Sequence, residues 1–127
     1  MCIRDRYVNH EEAIRLIKSS HLLVNFTYEN TEETDMLSGK LIEYIASGTP
    51  IINFSNSGKE SENVLKLSKK SFNADSSSEK KVVKFINDEY NDWIAGDYKK
   101  IAIDNIDYLT RESLTKKLLD IINKINS

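Results

Sequence analysis

Two short apolar runs separated by an amphipathic segment constrain the fold of this chain most strongly. The runs cover residues 21–26 and 50–54, and the segment between them carries apolar residues at helical spacing. Continuous rather than alternating apolarity indicates strands that are covered on both faces, as in a parallel sheet. Strands that alternate with helices connect through right-handed crossovers, so the sequence predicts an α/β fold.

Capping residues mark the first two predicted helices. Asn9 followed by Glu12 is a variant of the capping box, and it predicts a helix over residues 10–20. A second helix is predicted to begin near Ser38, which is a good N-cap residue. Gly48 ends this helix, and the proline two residues later prevents its continuation.

The second half of the chain predicts one more strand and a series of helices. Residues 71–74 are interpreted as a short third strand, and residues 78–90 as a helix. A last helix follows Thr110, which caps it. A further helical segment is predicted before it, with apolar positions at Ile101, Ala102, Ile106 and Leu109. The stripe of the last helix is formed by Leu114, Leu118, Ile121, Ile122 and Ile125.

Taken in order, these elements predict a partial Rossmann-like, doubly wound parallel sheet of about three strands, with flanking helices and a helical C-terminus. Sheets average about five or six strands. We therefore expect residues 7–127 to be the C-terminal part of a larger domain. Residues 1–6 have no helical or strand periodicity, and we expect them to be a non-native leader.

Composition narrows the classes of partner and site. The formal net charge of -2 gives no electrostatic reason to expect a nucleic acid partner. The single cysteine, Cys2, excludes an internal disulfide framework and a thiolate metal cluster. No apolar run approaches the roughly 20 residues of a membrane span. We expect no metal site, no membrane span in this segment, and a cytoplasmic location.

The strongest candidate for chemistry is the start of the second predicted helix. A helix N-terminus at Ser38, Gly39, Lys40 and Leu41 offers backbone N–H groups and a positive dipole end to a diphosphate. The missing side chain of Gly39 allows a phosphate to approach the backbone. Glu43 lies about 7–8 Å along the axis from the helix start. At that distance a carboxylate can accept hydrogen bonds from the hydroxyls of an attached ribose.

The string Ser-Gly-Lys-Leu-Ile-Glu-Tyr-Ile-Ala-Ser-Gly-Thr-Pro, which begins at Ser38, resembles the signature region of family 4 retaining glycosyltransferases of GT-B fold. The resemblance implies that Glu43 holds the nucleotide ribose and that Asp35 lies near the donor sugar, where the family usually has glutamate. It also implies a nucleotide-diphosphate sugar as donor substrate, no metal and no cofactor. The N-terminal acceptor domain of the same chain would then be missing from this segment, which we expect to be inactive alone.

Two other interpretations remain open at this point. The chain is alternatively a stand-alone Rossmann-like or flavodoxin-like module that binds a nucleotide or a protein without catalysis. The aspartate at position 35 also allows a degenerate, non-catalytic homologue of the glycosyltransferases. The glycosyltransferase and the stand-alone module differ in the expected effect of Glu43→Ala. The substitution weakens nucleotide-diphosphate binding in the glycosyltransferase and has no effect in the module.

Overall fold

The computed structural model describes residues 8–26, 39–55, 59–101, 103, 107 and 110–125. Five helices and three strands lie in these ranges. They are α1 (His10–Ser19), β1 (Leu23–Phe26), α2 (Gly39–Ala46), β2 (Ile51–Phe54), α3 (Lys59–Leu65), β3 (Ser71–Ala74), α4 (Glu79–Ala95) and α5 (Arg111–Ile125). The alternation of helices and strands confirms the predicted α/β class.

The three strands form one parallel sheet in the order β1-β2-β3. Leu23 lies opposite Ile51, and Ile51 lies opposite Ser71, so equivalent positions of the three strands are in register. Each strand therefore pairs with its neighbour in the sequence, as expected for successive crossovers in one direction. This open parallel sheet with flanking helices agrees with the predicted partial Rossmann-like fold.

Helices cover the sheet from both sides. Leu23 and Ile51 form the buried core with three residues that α2 and α3 contribute: Leu41, Ile45 and Leu65. We call this side of the sheet the α2/α3 face. Successive side chains of a strand point to opposite sides, and on the other side Phe72 stacks on Phe85 of α4 with ring centroids 6.0 Å apart. We call that side the α4 face.

The first strand differs from the prediction that both of its faces are covered. On the α4 face, Val24 is 41% exposed and Phe26 is 74% exposed. Only the central strand β2 has buried residues on both faces, with Ile51 and Ile52 almost completely buried. The prediction was wrong for β1 because α4 lies over β3 and does not extend across the whole sheet.

The N-terminal caps of α1 and α5 agree with the prediction, and α4 is longer than predicted. The side chain of Asn9 accepts a hydrogen bond from the backbone N–H of Glu12 at 2.8 Å, and Thr110 accepts one from Ser113 at 3.2 Å. Helix α4 runs past the predicted end at residue 90 to Ala95. It ends there because Gly96 adopts the left-handed conformation with φ of 77°, which closes the helix.

The segment after α4 was predicted to be helical, and the structure contradicts this at Ile101 and Ile103. The backbone N–H of Ile101 donates to the carbonyl of Gly48 at 3.0 Å, and Ile103 packs against the core. A non-local partner thus replaces the helical hydrogen bond. The other predicted apolar positions of this segment, Ala102, Ile106 and Leu109, lie outside the described residues.

We call residues 97–101 and 103 the strap, since they bind back to the start of the chain. The hydroxyl of Tyr98 donates to the carbonyl of His21 at 3.0 Å, and the ammonium of Lys100 donates to the carbonyl of Lys18. Burial raises the pKa of Tyr98 and lowers the pKa of Lys100.

In the ranges that the structure describes, no helix combines the length and the apolar content needed to cross a bilayer.

Candidate functional site

Helix α2 begins at the edge of the sheet where the parallel strands end. β1 leads towards that edge, and α2 returns along the sheet to the point where β2 begins. Leu41 and Ile45 anchor the helix in the core, and Gly48, with φ of 68°, turns the chain into β2. The carboxyl edge of a parallel sheet is where α/β folds bind their ligands. The fold thus brings the start of α2 to the edge of the sheet at which ligands of α/β folds bind.

Four of the predicted site residues lie on the described part of α2. Gly39 and Lys40 are exposed in its first turn, and a Cβ at Gly39 would meet no atom within 4 Å in the described part of the chain. Leu41 is buried in the core, so only its backbone N–H is available to a ligand. Glu43 is half-buried and lies about 200° around the helix axis from Leu41. The other two predicted site residues, Asp35 and Ser38, lie outside the described residues.

The first turn of α2 has the chemistry of an anion site. The first four N–H groups of an α-helix have no partner within the helix, and the dipole gives them a partial positive charge. The open space beside Gly39 allows a phosphate to reach them without displacing a side chain. Glu43 lies about 6 Å along the helix axis from Gly39.

A ladder of three asparagine side chains crosses the sheet on the α2/α3 face, close to its carboxyl edge. Asn25 donates to the side-chain oxygen of Asn53 at 2.7 Å, and Asn53 donates to that of Asn73 at 2.7 Å. Asn73 donates in turn to the carboxylate of Glu62 on α3 at 3.1 Å. An ionised carboxylate only accepts hydrogen bonds. Glu62 therefore sets the direction in which all three amides of the ladder point.

The asparagine ladder was not predicted from the sequence, although the sequence contains a signal for it. Each asparagine is the third residue of its four-residue strand, in Leu-Val-Asn-Phe, Ile-Ile-Asn-Phe and Ser-Phe-Asn-Ala. A buried polar side chain needs a hydrogen-bond partner. Three asparagines at equivalent positions of adjacent parallel strands supply partners for one another.

The connection from β3 to α4 reaches the same edge of the sheet and is fixed by Asp75. Its carboxylate accepts hydrogen bonds from the backbone N–H of Ser77 at 2.8 Å and from the hydroxyls of Ser77 and Ser78 at 2.7 Å each. These bonds, that from the Ser77 hydroxyl first, lower the pKa of Asp75 to about 2. This turn is ordered by its own side chains.

At the opposite end of the sheet, Lys70 connects β3 to the last turns of α4. Its ammonium lies 3.2 Å from the Glu89 carboxylate and 3.3 Å from the Asp92 carboxylate. Burial lowers the pKa of Lys70, but hydrogen bonds and attraction to the two carboxylates outweigh burial, so the pKa is raised overall. Lys70 is remote from α2's start and belongs to the scaffold.

A groove of about 220 Å³ lies on the α4 face. Its lining is almost entirely apolar and consists of His21, Leu22, Ile86, Glu89, Tyr90 and Trp93. Since His21 precedes β1, the groove lies near the amino end of the sheet. It is separated from the start of α2 by the sheet itself and is not part of the candidate nucleotide site.

Comparison with known proteins adds no assignment. No family model matches the chain, and no curated protein and no solved structure matches it. Within the described ranges, no three histidine, cysteine, aspartate or glutamate side chains converge as metal ligands would. The residues of α2 and their place in the fold are therefore the basis on which a function can be argued.

Proposed function

We propose that this chain is the donor-binding portion of a glycosyltransferase that transfers a sugar from a nucleotide-diphosphate sugar to an acceptor. The observation that carries the proposal is the position of the Ser-Gly-Lys-Leu-Ile-Glu string. Its described part forms the first turns of a helix that starts at the carboxyl edge of a parallel sheet. In this proposal the N–H groups of Gly39, Lys40 and Leu41 bind the diphosphate, and Glu43 accepts hydrogen bonds from the ribose.

The shape of the sheet is consistent with a larger parent domain. Among the described strands, β1 is one of the two outer strands and has a strand neighbour on one side only. Its sequence, Leu-Val-Asn-Phe, has none of the charges or prolines that usually protect an exposed edge. A further parallel strand beside β1 would continue the sheet in the same direction.

The parent enzyme would supply the acceptor site and the remaining groups that stabilise the departing diphosphate. Asp35 would lie near the donor sugar, as the resemblance implies. We therefore expect the isolated chain to bind a nucleotide diphosphate weakly and to transfer no sugar. Measurable transfer by the purified chain would contradict this division of roles.

Glu43→Ala tests the ribose contact. A hydrogen bond to a charged group contributes about 1.5 kcal/mol or more, so we expect the dissociation constant for a nucleotide diphosphate to rise about tenfold. Titration calorimetry with uridine, guanosine and adenosine diphosphates measures it. Glu11→Ala, which removes an exposed carboxylate from the first turn of α1, is the matched control. Equal affinities for both variants and the wild type would favour a module that does not bind through α2.

Gly39→Ala tests the diphosphate contact separately from folding. A Cβ at this position meets no atom of the described residues within 4 Å, and alanine has a higher helix propensity than glycine. The variant should therefore be at least as stable as the wild type. If the phosphate approaches the backbone here, the same methyl group occupies its space, and affinity falls. Undiminished affinity would exclude the first turn of α2 as the diphosphate site.

A further inference from the structure

We draw no further inference here: the strongest candidate, the apolar groove between α4 and the residues that precede β1, which Tyr90 and Trp93 help to line, is an unpartnered apolar surface, and nothing in the described part of the structure shows what covers it.

Discussion

Replacing Asn53 with leucine tests whether the asparagine ladder stabilises the sheet as one unit. Asn53 is fully buried in the central strand, donates to Asn73 and accepts from Asn25, both at 2.7 Å. Leucine has a similar shape and makes neither hydrogen bond. The nitrogen of Asn25 and the oxygen of Asn73 then lose these partners inside the protein.

The magnitude follows from the two hydrogen bonds that Asn53 makes to its neighbours. A buried polar group left without its partner costs about 1–3 kcal/mol. Two such groups cost about 2–6 kcal/mol, from which the burial of apolar leucine atoms subtracts about 1 kcal/mol. We therefore expect Asn53→Leu to lower the free energy of unfolding by about 1–5 kcal/mol. This is a large part of the 5–15 kcal/mol that is typical of a domain.

Urea denaturation measures the effect. It is monitored by circular dichroism and by the fluorescence of Trp93, the only tryptophan of the chain. With a denaturant slope of about 2 kcal/mol per molar, the midpoint falls by about 0.5–2.5 M. A triple variant with leucine at positions 25, 53 and 73 is the informative comparison. It leaves no ladder amide unpaired and releases only the exposed carboxylate of Glu62, so it should regain at least half of the loss.

Two outcomes would refute this reasoning. If Asn53→Leu is as stable as the wild type, the ladder bonds contribute nothing net to the folded state. If the triple variant loses about three times as much as the single variant, each asparagine acts alone, and the energetic coupling of the ladder is absent. Equal denaturant slopes in all variants are needed for the comparison.

Three further predictions concern single residues outside the ladder. Thr49 is fully buried, and its hydroxyl has no hydrogen-bond partner among the residues that the structure describes. Thr49→Val should therefore raise the free energy of unfolding by about 1 kcal/mol, and a decrease in urea denaturation would contradict this. Gly96→Ala should cost about 1 kcal/mol, because φ is 77° and the added Cβ meets nothing within 4 Å; an unchanged melting temperature would contradict this. The depressed pKa of Asp75 means that its stabilisation is complete above the unfolded value of 3.8 and is lost as the pH falls towards about 2. Asp75→Asn should remove this part of the acid limb in a pH series of denaturation curves, and an unchanged limb would exclude Asp75 as its source.

The sequence predicts most of the elements here because local signals specify them. Asn9 and Thr110 form the caps that their residue types favour, and all three strands lie within the predicted ranges. The exposure of Val24 and Phe26 was not predictable from the run that contains them. An apolar strand has the same local pattern at the edge of a sheet and at its centre, and only its neighbours decide whether both faces are covered.

The candidate site was predictable in position rather than in detail. The residues of α2 identify a helix start, and the parallel topology sets that start at the carboxyl edge of the sheet. The burial of Leu41 agrees with the helical spacing of the apolar residues in this segment, and the site hypothesis uses Leu41 only through its backbone N–H. The non-helical conformation of Ile101 has no local signal, because a carbonyl 53 residues earlier, on Gly48, binds its N–H.

The strap has a consequence for the order in which parts of the protein unfold. Tyr98 and Lys100 bond to carbonyls of His21 and Lys18, which lie 77 and 82 residues earlier in the chain. Closing a loop of that length costs entropy that nearby contacts do not. We expect these bonds to form late in folding and to open early, so that α1 and the first strand loosen while the centre of the sheet still resists hydrogen exchange. A single cut after Gly96 would leave the strap attached to α1 and β1 only through such noncovalent contacts.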